Sequence, residues 1–379
     1  MRSCVRAVVH HLRSDGSPVA YRDVEESCGR PIREIVQEPR ADAVKEWTVG
    51  LHRALQELDQ QAKFRLISCH LTLYNKRTSV FFSPSDGKEF RAADQAPKRV
   101  VLLIDDIFDM YTRLSAEGEV FDEEAESERV MGRLRDALAE SLGEGDAPRG
   151  LSEVEQALSQ LDARVGILQR IIGWRRSEMI VAENLALQLG VPLTLLGLKH
   201  PMSVMRLLLD LDHEPCVTYI SHPISRLRVE QRRTGQWDGY CAKLNQIPGR
   251  LANHGVVGIM PTAIDEMRFV APERDHAFRR RGGLSTRWPL VESESGLVGS
   301  DFAEGVADLV VPPAVLNDAP AEGSIYLRAL ETTISSEVPF RDHFLVTHCQ
   351  HFMAFRPREQ AQDFSRRCPC RDRPFSTVD

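Results

Sequence analysis

The sequence predicts an α/β protein made of two open, parallel-sheet domains, and three observations carry that expectation. Short apolar runs of strand length, bounded by Gly, Pro, Ser and Asp, alternate along the chain with segments of helical periodicity. These runs are continuously apolar, as strands covered on both faces must be, so the sheets should be parallel. The 379 residues exceed what one core comfortably organises, which favours a division into residues 1–201 and 202–379, the second carrying an insertion near 269–333.

In the first half the predicted strands are Pro18 to Tyr21, Phe64 to Cys69, Arg99 to Ile104 and Pro192 to Leu198. Helical spacing of Trp47, Leu51, Leu55 and Leu58 marks a helix from Glu46 to Gln61. A second, longer periodicity runs from Leu151 to Leu189 through Val154, Leu158, Leu161, Val165, Leu168, Ile171 and Ile172. The acidic and then Gly-rich stretch from Glu117 to Gly150 reads as an exposed helix passing into a surface loop. In the second half the strands are Cys216 to Ile220, Val256 to Met260 and His351 to Phe355. A helix is predicted from about Trp237 to Asn253, broken near Pro248, and another from Asp342 to Cys349.

Composition narrows the function classes. With 42% hydrophobic and 27% charged residues the chain is neither disordered nor fibrous. A net charge of -7 argues against a dedicated nucleic-acid surface, and Arg279-Arg280-Arg281 reads as a solvated loop. No run approaches the roughly 18 apolar residues of a membrane helix. The basic start is interrupted by charges and histidines, unlike a secretory signal. Six of the eight cysteines are scattered singly in or beside apolar segments, as reduced thiols usually are, so a cytoplasmic protein is expected. Cys368 and Cys370, with His348, Cys349 and His351, have spacing too short for an ordinary zinc site, and no metal is assigned there.

Two places carry chemistry. The run Val100 to Ile104 ends in Asp105-Asp106, and paired carboxylates at the end of an apolar strand suit either magnesium or a helix N-cap; the residue pattern leaves both open. VVLLIDDIFDMY resembles the Walker-B strand of P-loop kinase-like proteins, and HLRSDGSPVAYRDVEE resembles the helix, glycine turn and strand that follow a P-loop. That resemblance implies a Rossmann-like, P-loop NTPase-like first half holding a nucleotide with magnesium. No G-x-x-x-x-G-K-[ST] is present, and Arg2-Ser3 stand where its lysine and hydroxyl residue would be. The half is then degenerate, or the chain begins late; Ser3, Asp105 and Asp106 are its candidate nucleotide and magnesium residues.

In the second half each strand ends in polar or turn-forming residues, the ligand edge of an open α/β sheet. Tyr219-Ile220-Ser221-His222-Pro223-Ile224 resembles the first strand and loop of nucleoside 2-deoxyribosyltransferase-like proteins. Arg341 to Val346, followed by Phe352 to Phe355, resembles their aspartate, helix and strand. The resemblance implies that Asp342 contacts the nucleobase or assists proton movement, and that His222-Pro223 lie beside the sugar. Asp265 and Glu266 would then fall near the substrate, with Tyr219, Ser221 and Arg356 completing the edge. The family's nucleophile is a glutamate beyond a small-residue turn. Past Arg356-Pro357 the sequence shows no glycine turn, apolar helix or closing strand, and Glu359 stands too close to the strand end for that role.

The resulting expectation is an enzyme acting on nucleoside or nucleotide N-glycosidic bonds, of deoxyribosyltransferase or N-glycosidase type, needing no cofactor for that step. The rivals are a two-domain nucleotide sensor without turnover and a nucleotide kinase-like protein. Partners are a small nucleoside or nucleotide, with no membrane and no nucleic acid. The insertion around Asp275 to Pro320 would serve as a lid or a homo-oligomer contact.

Overall fold

A computed structural model describes residues 18–59, 61–75, 80–85, 87–92, 97–105, 127–133, 152–197, 216–221, 246–260, 340–355 and 375–378, with single positions between them such as Val204, Thr333 and Glu337. The architecture is mixed α/β with small parallel sheets. Strand β1 (Val19–Asp23) pairs in parallel with β2 (Phe64–Ser68), placing Asp23 beside Ser68 at their carboxyl ends. Strand β5 (Val100–Ile104) pairs in parallel with β6 (Leu193–Gly197). Between them β3 (Leu73–Asn75) and β4 (Val80–Phe82) form an antiparallel pair. In the second half β7 (Cys216–Ser221), β8 (Val256–Ile259), β9 (His351–Phe355) and β10 (Phe375–Val378) make a parallel sheet of order β10-β9-β7-β8.

The expected strands are all present, with ends shifted by one or two residues. One pair of strands is new and one expectation is corrected. The β3–β4 pair was not anticipated, because three-residue strands are too short to show an alternation. The second half does have a closing strand: β10 pairs with β9, although Phe-Ser-Thr-Val after a charged, Pro-containing segment gives no extended apolar run.

Five helices with defined ends, and helical stretches at 127–133, 246–252 and 340–347, complete the described frame. α1 (Val24–Cys28) is capped by the Asp23 carboxylate, which accepts from the backbone N–H groups of Glu25 and Glu26, and ends at Gly29 in the left-handed region. α2 (Ile32–Ile35) follows Pro31. α3 (Arg40–Gln56) starts six residues before its apolar periodicity does, behind Pro39, because its first turn is polar. Leu58 stays buried past its end without being helical. α4 (Lys88–Ala92) is short. α5 (Glu153–Leu189) has 37 residues and so spans about 55 Å. Ser152 and Glu155 close a capping box at its start, and Gly190 ends it in the left-handed conformation.

α1 crosses α3 at close range. A Cβ on Gly50 would stand 2.3 Å from Cys28 Sγ, so only glycine lets the two backbones meet there. Trp47 and Leu51 of α3, with Leu73, Phe82 and Phe90, fill one apolar cluster, flanked by Leu185 and Leu189 of α5. A second, larger cluster draws Met179, Ala182 and Ala186 of α5 together with Phe64, Leu102, Ile104, Leu193 and Leu195 from the first half. It also contains Val217, Tyr219, Val257, Ile259, Phe344, Leu345 and Phe352 from the second.

Polar contacts reinforce that packing. Arg175 of α5 pairs with Glu337 at 3.3 Å, both side chains almost wholly buried. Arg176 lies over the Phe340 ring at 4.2 Å, and Glu183 faces His348 at 3.6 Å. Removing one partner of a buried pair strands the other charge. Glu337→Ala should therefore lower the unfolding free energy in urea by about 3–5 kcal/mol, and Arg175→Met/Glu337→Leu should regain most of it. A loss under about 1 kcal/mol for Glu337→Ala would show that water already serves Arg175.

Candidate functional site

Strand order places the first candidate site. The chain leaves β7 for β8 on one side and later returns to β9 on the other, so the strand order reverses between β7 and β9. Loops leaving two neighbouring carboxyl ends in opposite directions open a crevice, which is where parallel α/β sheets take ligands. Ser221 ends β7 there, in register with Ala354 of β9, and is half-buried.

Just below this edge, in the layer between sheet and helix, three polar side chains come together. Tyr219 is buried and stacks on Phe352, ring centroids 5.6 Å apart and planes 24° from parallel. Burial pushes its phenol well above the ordinary tyrosine range; the Asp342 carboxylate and the Cys349 thiol push the same way, against Arg341. Asp342 lies in the helical residues 340–347 that lead through Cys349 and Gln350 into β9. Arg341 donates to Asp342 Oδ1 from both Nε (3.0 Å) and Nη2 (2.8 Å). The Arg341 side chain is 4% exposed, whereas the Asp342 side chain is 35% exposed. Arg341 was missed from sequence because nothing distinguishes it there from an ordinary surface arginine beside an aspartate.

Of the second-half candidates the structure therefore brings Tyr219 and Asp342 together and sets Ser221 at the sheet edge. His222, Pro223, Asp265, Glu266 and Arg356 lie outside the described residues, as do Glu359, Cys368 and Cys370. Asp342 is neither solvent-exposed nor buried, since it faces the sheet with one carboxylate oxygen engaged.

The carboxyl edge of β1 and β2 is the second polar place. Asp23 Oδ2 accepts from Ser68 Oγ at 2.6 Å and from the Tyr21 hydroxyl at 3.3 Å, while Oδ1 takes the α1 cap. Tyr21 and Ser68 are themselves 2.9 Å apart. Burial raises the Cys69 thiol to about 12, helped by Glu178 and then Asp23, so these carboxylates share one edge. His70 lies between the Trp47 and Trp174 rings, its Nδ1 3.8 Å from Glu178 Oε1. The sequence signal for Asp23 was an N-cap pattern, Asp-Val-Glu-Glu after an apolar strand; Ser68, His70 and Glu178 had none.

Asp105 leaves β5 buried at 6% exposure, with Ile107 and Tyr111 helical after it, while Asp106 and Ser3 lie outside the described residues. One buried carboxylate is thus the part of the implied magnesium site that can be placed. Among the described residues no three His, Cys, Asp or Glu side chains group as a metal site. No described helix is long and apolar enough to cross a membrane. No protein-family model, curated protein or solved structure matches the chain.

The Tyr219 phenol holds its proton more tightly in the folded than in the unfolded chain. Its contribution to stability is therefore present below the ordinary tyrosine range and lost as pH climbs through and above it. Tyr219→Phe should remove part of that loss, so its melting temperature should fall less than the parent's between neutral and strongly alkaline buffer. Parallel curves would place the hydroxyl in water.

Proposed function

We propose that the second half is a Rossmann-like ligand-binding unit that takes a nucleoside or nucleotide at the carboxyl edge of β7 and β9 and acts on its N-glycosidic bond. The observation that carries this reading is the Tyr219–Asp342–Arg341 group beneath the point where strand order reverses. A half-exposed carboxylate with a fixed orientation accepts N–H or O–H groups of a polar ligand. The Tyr219 ring stacked on Phe352 puts a buried aromatic, apolar layer beneath that edge. In the reaction the C1′–N bond breaks with its electron pair passing to the base, which takes up a proton, while water or a second base takes C1′. The first half, residues 1–201, is read as a nucleotide-binding-like module joined to it, with magnesium at Asp105 as part of that module.

A sensor without turnover is the second reading, and one observation favours it. Asp342 is already held by Arg341, and the Tyr219 phenol stays protonated, so neither is set up as an attacking group. A panel of ribo- and deoxyribonucleosides and their monophosphates separates the two. Under the enzymatic reading, chromatography shows free base released by the parent and at least tenfold less by Asp342→Ala. Under the sensor reading, the same ligands raise the melting temperature and no base appears. Neither shift nor base release at millimolar ligand would remove both.

A further inference from the structure

The order of charge in the Asp342 pair bears on which part of a ligand it meets. Adjacent residues on a helix point about 100° apart and do not normally share a face. Arg341 nevertheless folds back so that Nε and Nη2 both donate to a single oxygen, Oδ1. Oδ2 has no hydrogen bond among the described residues. The Arg341 side chain is the buried member and the Asp342 side chain the accessible one, at 4% and 35% exposure. A ligand approaching from outside therefore meets an oriented negative acceptor, with the positive charge behind it.

We infer that Arg341 is the positioning residue of this site: it fixes Asp342 so that Oδ2 receives an uncharged N–H or O–H donor, and a phosphate is excluded from that point. This rests on the nucleoside reading above and deepens it. A guanidinium holds a carboxylate through a planar fork, whereas an ammonium offers one compact charge and leaves the carboxylate free to turn. A phosphate placed against Oδ2 would meet like charge, so a nucleotide must carry its phosphate elsewhere along the edge. The donor has two chemical sources, an exocyclic amine on the base or a hydroxyl on the sugar.

Calorimetry on the full-length protein distinguishes them with three probes: adenosine, purine riboside, which lacks the amine, and 2′,3′-dideoxyadenosine, which lacks the sugar hydroxyls. The parent should bind adenosine and lose at least tenfold in affinity for one of the two analogues, which identifies the donor. Arg341→Lys, keeping the charge, should weaken adenosine at least tenfold and bring the two affinities within about threefold of each other. Asp342→Asn keeps an oxygen for Arg341 and turns an N–H₂ outward, so it should lose or reverse the same preference even if Arg341→Lys unfolds. Retention of the parent's preference in either folded variant overturns the role of Arg341 while leaving the nucleoside reading intact. Failure of the parent to bind any nucleoside overturns both.

Discussion

The long helix α5 is the constraint on which the described structure depends. A helix of 37 residues cannot bury one narrow stripe and leave the rest in water when apolar positions recur around its circumference. Here it serves two cores. Met179, Ala182 and Ala186 enter the larger cluster, while Leu185 and Leu189 flank the smaller one built on α3. The small residues are as telling as the large: Ala182 and Ala186 are buried in the same cluster as residues of β5, β6 and the helical stretch 340–347. Leucine at either place would overpack a surface shared by both halves. Leu187, 73% exposed, marks the side left to solvent.

Because α5 reaches both cores, its charged residues are the ones whose partners lie far away in sequence. Arg175, Arg176 and Glu183 reach Glu337, Phe340 and His348, all just before β9. Glu178, one turn along, turns instead to His70 at the exit of β2. The buried Arg175–Glu337 pair does not by itself make the protein stable, since desolvation of both charges offsets much of their attraction. What it does is fix where Glu337 stands against α5, while the Arg176–Phe340 and Glu183–His348 contacts fix the register of the residues that follow. That register also sets where Arg341 and Asp342 stand relative to Tyr219.

Much of the fold was legible because continuous apolar runs bounded by turn residues leave little choice but buried parallel strands. Val100 to Ile104 and Leu193 to Gly197 were evident on that ground and pair as expected. The β3–β4 pair and β10 were not, because three or four residues carry no periodicity and their strand character comes from partners elsewhere in the chain. The start of α3 was hidden by a polar first turn. In the site, Tyr219 and Asp342 were selected through the family resemblance of their segments, yet their proximity depends on a register spanning more than a hundred residues. Arg341 was illegible for a different reason. A buried arginine and a surface arginine look alike until the packing around them is known.

Two carboxylates, Asp23 at the end of β1 and Asp342 in the helical residues before β9, show why the second half carries the candidate site. Asp23 ends β1 and accepts hydrogen bonds from two backbone N–H groups of α1 and from the hydroxyls of Ser68 and Tyr21. Both of its oxygens are spent, and it is 6% exposed. Such a residue holds a strand end, a helix start and a neighbouring strand in one place, and offers a ligand little. Asp342 receives its described hydrogen bonds from one side chain on one oxygen and keeps a third of its surface open. Folding alone does not require that arrangement. The second Asp342 oxygen is not among the buried polar atoms left without a partner, so it stands open to a donor, from solvent or from a ligand. The same accounting separates a cap from a binding group wherever an acidic residue stands beside a parallel sheet, and it turns on the partners of each oxygen, which composition and spacing do not reveal.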